Sequence, residues 1–318
     1  MRPRSRPFLA PLLLLAAACS QSEAGPPAPP TFDQERAWAD LEALVAIGPR
    51  PMGTPELAEA RAYLRAQVEP HGWEIEEVRF TAVAPAGAMR HANGKEWEGV
   101  NLLARRPGTE PGEIWIASHY DTYDKRGFVG ANDAGSSSAV LVELARQLGG
   151  TTPHEGPSLV LAWFDGEEPF SPVPWSNEDN STFGSRHQVE LLKEQGRIDQ
   201  VRAFVLLDMV GDAKLGITPP RECDRRLLGL FETTAHQLGH KRLFFEKRDI
   251  RDDHVPFHRA RVPVMNLIDL KFGPGLGNDW WHTTEDELSK CSADSLGTIG
   301  RLVLAVLPKI GDDFPVRG

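Results

Sequence analysis

The chain has 318 residues, 41% of them hydrophobic and 25% charged, with 35 Lys+Arg against 45 Asp+Glu for a formal charge of -10. That balance excludes disorder as the default, and it leaves no basic stripe that could hold phosphates, so nucleic acid is not an expected partner. Carboxylates gathered in one cleft could instead bind a cation or attract a substrate ammonium group.

Arg2, Arg4 and Arg6 precede an apolar stretch over residues 8–18 that is too short to span a bilayer, so residues 1–18 are expected to be a signal peptide. Ala16, Ala17 and Ala18 lead into Cys19 in the manner of a bacterial lipobox, which predicts export, a lipidated Cys19 and attachment to a membrane facing the periplasm. The alternative is a plain secretory signal in which Cys19 is incidental. Residues 19–31 hold Pro26, Pro27, Pro29 and Pro30 and are expected to form an extended tether. Only Cys223 and Cys291 remain beyond it; an oxidising compartment would allow them to pair, and spacing alone leaves that open.

Residues 32–318 contain no second linker or repeat and are expected to fold as one α/β domain. Apolar residues three or four apart predict helices over 34–47 and 56–68. Apolar or β-branched runs then predict strands over 73–80, 100–104, 114–118, 159–164, 203–207 and 262–268. Helical periods at 136–148, 186–194, 224–238 and 292–310 complete the pattern of a central mixed sheet with helices on both faces.

The polar residues just past the strands carry the chemistry. The run at 114–118 leads into His119 and Asp121, that at 159–164 into Asp165, Glu167 and Glu168, that at 203–207 into Asp208, and that at 262–268 by a loop to His282. Outside the carboxyl ends of strands is where open α/β sheets bind ligands.

His119-Tyr120-Asp121, Gly130-Ala131-Asn132-Asp133, Gly166-Glu167-Glu168, Leu207-Asp208 and Trp281-His282-Thr283 stand in the order and spacing of the M28 metallopeptidase-like superfamily, which the chain resembles over nearly all of its folded part. Gly48-Pro49-Arg50-Pro51-Met52-Gly53 resembles that superfamily's opening motif. Within it, Phe164-Asp165-Gly166-Glu167-Glu168, Trp175-Ser176, Gly184-Ser185-Arg186-His187, Asp252-Asp253-His254-Val255-Pro256-Phe257 and Trp281-His282 are similar to the animal-type glutaminyl cyclases.

The resemblance implies a zinc aminopeptidase-like fold with Asp133, Glu168 and His282 as zinc ligands and Glu167 as general base. It implies that Asp208 and Asp252 join Glu167 in a carboxylate network, and that Trp175 and Trp281 wall the substrate pocket. The substrate would be the N-terminal glutamine of a peptide or protein, closed to pyroglutamate with release of ammonia. An M28 aminopeptidase is the alternative; it would bind a second zinc through His119 and Asp208. A binding module that has kept the fold without activity is a third reading, against which the intact Asp133, Glu167, Glu168 and His282 argue.

Simpler readings stand beside these. Asp133, just before a predicted helix, has the position of a helix cap. Asp253 and His254 fit a surface turn or a support for neighbouring loops, Trp280 could take the place of Trp281 in the pocket, and Asp253 could take that of Asp252. His187, His236, His240 and His258 are expected at the surface or behind the site. Ser118 stands where the animal enzymes' disulfide would need a cysteine.

Overall fold

Period-two alternation in the strands decides the layers. In the computed structural model, which describes residues 31–85, 88, 95–171, 179–275 and 277–317, six strands form one sheet: β1 (Glu74–Val83), β2 (Glu96–Arg106), β3 (Gly108–His119), β4 (His154–Phe164), β5 (Val201–Asp208) and β6 (Val264–Ile268). Their order is β1-β2-β4-β3-β5-β6. β1 and β2 run antiparallel, β2 is antiparallel to β4, and β3 to β6 are mutually parallel.

Ile114, Ile116, Leu159, Leu161, Trp163, Ala203, Val205 and Leu207 face one core. That core is closed by α1 (Gln34–Ile47), α2 (Pro55–Val68), α3 (Ser137–Leu148), α5 (Arg225–Gln237) and α7 (Ala293–Asp313). Their neighbours Trp115, Ala117, Val160, Ala162, Phe164, Phe204 and Leu206 face the opposite core, under α4 (Phe183–Glu194) and α6 (His254–Arg259). Covered on both faces, the central strands read as continuous apolar runs rather than as alternation with polar residues.

Helix starts follow local chemistry. Asp33 accepts a hydrogen bond from Arg36 N, Thr54 from Leu57 N, Asp224 from Arg226 N and Leu227 N, and Ser292 from Asp294 N, so four first turns have a side-chain cap. The last strand begins at Val264, two residues later than expected, after Arg261 has taken φ +63° and Pro263 has entered the loop. The short α6 was not expected. It packs through Phe257, whose ring stacks on Phe204 at 3.9 Å, and so carries Asp253 and His254 into the interior. The surface-turn reading of those two residues is therefore corrected.

Cys223 and Cys291 are two separate buried thiols, so the pairing left open above is not made. Ser118 donates to the carbonyl of His119 at 2.7 Å, and its Oγ lies within hydrogen-bond distance of Ser137 Oγ at 2.8 Å, a role for a hydroxyl rather than a thiol. Among the described residues no helix is long and apolar enough to cross a membrane. Residues 1–18, Cys19, most of the tether and Trp175 lie outside the described residues.

The chain leaves β3 for β4 on one side of it, then crosses to β5 and β6 on the other. The connections thus diverge around β3, and such a switch point opens a crevice beyond the carboxyl ends of the strands.

Candidate metal centre and acidic cleft

β3 ends in His119, β4 runs into Glu167 and Glu168, and β5 ends in Asp208. Asp133 comes from a wide, irregular turn at residues 131–136 that leads into α3, with φ -106° and ψ 92° at Asp133 itself. Ser136 occupies the position before α3, so Asp133 does not cap that helix. Its backbone is held from elsewhere: Asp286 accepts from Asn132 N at 2.7 Å and from Asp133 N at 3.1 Å.

Two sets of donors converge, and they share Asp133. In one, His282 Nε2 lies 3.0 Å from Glu168 Oε2 and 3.6 Å from Asp133 Oδ2. In the other, His119 Nε2 lies 3.2 Å from both Asp133 Oδ1 and Asp208 Oδ1. Each trio places one ligand atom per residue within 4.8 Å of the others. Donors about 2.0–2.2 Å from a tetrahedral zinc stand roughly 3.3–3.6 Å apart, a spacing that the 3.0 Å and 3.6 Å separations from His282 bracket. Asp133 Oδ2 and Glu168 Oε2 are buried yet accept no well-directed hydrogen bond, which a cation between them would remedy.

The charges agree. Burial pushes Glu167 well above the usual carboxylate range; the charge of His119 opposes this, and those of Asp252 and Glu168 add to it. Burial likewise lifts Glu168 to about 7 against the pull of His282, and lifts Asp252 far up with help from Asp208 and Asp253. Burial alone would lower both histidines, but the surrounding carboxylates hold His119 and His282 above their ordinary values. Asp133 is the exception among the acids: burial raises it, and the His119 hydrogen bond with the charges of His119, His282 and Arg50 brings it below the ordinary value. So many crowded acids need shared protons or a cation.

A cavity of about 360 Å³ has Asp133, Glu167, Glu168, Asp208, Asp252 and His282 along its acidic side. Asp252 faces this cavity while its Oδ2 accepts from Asn266 Nδ2 at 2.6 Å. Asp253 points away, accepts from Ser185 Oγ at 2.5 Å and is fully buried. Asp208 is linked to Glu167 through His119, whose Nδ1 lies 3.9 Å from Glu167 Oε2. Trp281, 37% exposed, lines the wall and stacks on the His282 ring at 3.9 Å. Trp280 packs edge-on against Phe272 instead. His236 and His258 are exposed, His240 is half-buried, and His187 stacks on Phe80 away from the cavity.

Three supporting residues had no assigned role in the sequence. Asp121 accepts from Glu167 N and Glu168 N, each at 3.2 Å, and so aims both glutamates. Arg50, fully buried, donates to Tyr120 O, Val129 O and Gly130 O, joining the loop after β3 to the turn that carries Asp133. Asp286, four residues past His282, would have been found only by asking what satisfies the backbone at Asp133.

Residues 101–307 match Peptidase family M28. The chain belongs to that family. It is 30% identical over 290 residues to a Bothrops jararaca protein named glutaminyl-peptide cyclotransferase, covering 78% of this chain and 74% of the relative. It is 28% identical over 307 residues to a Bos taurus glutaminyl-peptide cyclotransferase-like protein, with 87% and 76% covered. Among solved structures, a glutaminyl cyclase from an Acidobacteriales bacterium superposes with a TM-score of 0.81 at 33% identity, over 92% of this chain and 99% of that one. The M28 segment contains all six acids and histidines of the two donor trios and Glu167, and the single α/β domain with its mixed six-stranded sheet agrees with these relatives.

Proposed function

We propose that this chain is a zinc-dependent glutaminyl-peptide cyclotransferase that closes the N-terminal glutamine of peptides or proteins to pyroglutamate and releases ammonia. Asp133, Glu168 and His282 would hold the ion, which when bound supplies Lewis-acid polarisation of the glutamine γ-carbonyl. Glu167, buried beside that trio with its pKa pushed up, takes a proton from the α-amino group as its nitrogen attacks the carbonyl carbon (Cδ) of the side-chain amide. The same carboxyl then hands a proton to the departing amide nitrogen, which leaves as ammonia, so the enzyme returns to its starting protonation. Asp208, through His119, and Asp252 set the proton affinity of Glu167.

One observation carries the choice of cyclisation over hydrolysis: Trp281 stacks on His282 at the wall of a small cavity whose other walls include Met209, Ile250, Ile268 and Leu270. Such walls exclude water and hold the internal amine against the carbonyl, which favours ring closure. Incubation with a Gln-initiated peptide is expected to give a product lighter by one ammonia. Release of free amino acids would sink the proposal.

A two-zinc aminopeptidase is the second reading, favoured by the convergence of His119, Asp133 and Asp208 on a further donor set. In that case Glu167 would activate water. Metal analysis of the protein purified without chelator separates the two: a zinc ratio near one supports the cyclase and near two the peptidase.

We further propose that the enzyme is exported and anchored through a lipidated Cys19, on the strength of Arg2, Arg4, Arg6, the apolar stretch and the Pro-rich tether. Replacing Cys19 by Ala should move the protein from the membrane fraction to the soluble envelope fraction; unchanged membrane association would overturn the anchor.

A further inference from the structure

His282 takes φ +55°, a left-handed conformation that a non-glycine residue rarely adopts without support. The support comes from the segment between β3 and the Asp133 turn. Tyr123 lays its ring on the imidazole, 4.1 Å between centroids and 5° from parallel. Phe128 meets the imidazole edge-on at 5.9 Å, and Lys125 Nζ donates to the His282 carbonyl at 2.8 Å. Tyr123 also reaches the loop that carries the catalytic glutamates, since its hydroxyl donates to Ser171 Oγ at 3.1 Å.

Neither Tyr123 nor Lys125 lines the cavity, so neither is placed to touch substrate. Their contacts are with a ligand histidine and with the segment three residues past Glu168. A ligand's affinity depends on its aim as well as its identity, and the groups that orient a ligating histidine govern metal binding nearly as strongly as the ligand does. A ring stacked parallel restricts rotation of the imidazole about χ2, while the lysine fixes the backbone from which it projects.

We propose that Tyr123, through its ring, and Lys125 form a clamp on His282 that sets the direction of its Nε2 and thereby the zinc affinity of the site. The proposal rests on the reading of Asp133, Glu168 and His282 as zinc ligands. Both are positioning residues.

The test is chelator competition for zinc on the full chain, with the thermal midpoint of the zinc-free protein measured alongside. Tyr123→Ala should weaken zinc binding by about 10- to 100-fold while changing the zinc-free midpoint little. Tyr123→Phe, which keeps the stack, should restore affinity to within about threefold of the parent. Lys125→Ala, an exposed substitution that leaves the core untouched, should weaken binding by about threefold or more and remains informative if Tyr123→Ala does not fold. Parent-like zinc affinity in both alanine variants, or a loss in Tyr123→Phe equal to that in Tyr123→Ala, overturns the clamp. A parent chain that binds no zinc overturns the ligand assignment itself, and the clamp with it.

Discussion

The Asp121 carboxylate accepts a hydrogen bond from the backbone N–H of Glu167 with one oxygen and from that of Glu168 with the other, both at 3.2 Å. One buried acid just past β3 therefore aims two adjacent glutamates just past β4, of which Glu168 joins the donor trio with Asp133 and His282 and Glu167 belongs to neither trio. An amide in its place would turn an NH2 toward one of those two donors. Asp121→Asn is expected to cost about 1–3 kcal/mol of stability and to lower kcat, as read from thermal melts and from steady-state turnover of a Gln-initiated peptide.

Glu167 belongs to neither donor trio, so its chemistry separates from metal binding. Glu167→Gln keeps the shape and removes the proton acceptor. Turnover should fall by about 10²- to 10⁴-fold, while zinc content stays at the parent value by elemental analysis.

Arg50 satisfies three carbonyls on two loops with one rigid guanidinium, and burial lowers its pKa to about 10 against the charges of Asp286, Asp121 and Asp133. A lysine has no such fork. Arg50→Lys is expected to leave carbonyls at Tyr120, Val129 or Gly130 without a donor, at about 1–3 kcal/mol each. The thermal midpoint should drop by several degrees, and zinc affinity should weaken because the Asp133 turn loses its anchor.

His254 is buried beside Asn266, and burial, with the charge of His258, lowers its pKa to about 3. The native state thus keeps this ring neutral where the unfolded chain, with an ordinary histidine pKa near 6.5, would protonate it. Its contribution is fully present above about pH 6.5 and is lost as pH falls toward 3; at pH 5 the loss is on the order of 2 kcal/mol. His254→Gln should flatten the fall of the thermal midpoint between pH 6.5 and 4, whatever it does to stability at pH 7.

Local pattern made much of this protein legible. The apolar spacing over 34–47 marks α1 because a helix repeats every 3.6 residues, and the run at 159–164 marks β4 because a strand covered on both faces has no polar alternation. Glu167, Glu168 and Asp208 were legible because each follows such a run, and Asp133 and His282 because they stand in recognisable motifs; the fold brings all five to one crevice. The tertiary structure alone decided which groups hold them. Asp286 supports the backbone at Asp133 across 153 residues, and Lys125 and Tyr123 meet His282 across a comparable span, with Lys125 157 residues away. Asp253 and His254 look like turn residues until Phe257 docks α6 on the sheet and buries them. Periodicity and caps act over a few residues, whereas burial and orientation arise only when distant segments pack, so the residues of the cleft could be read in sequence and the geometry that aims them could not.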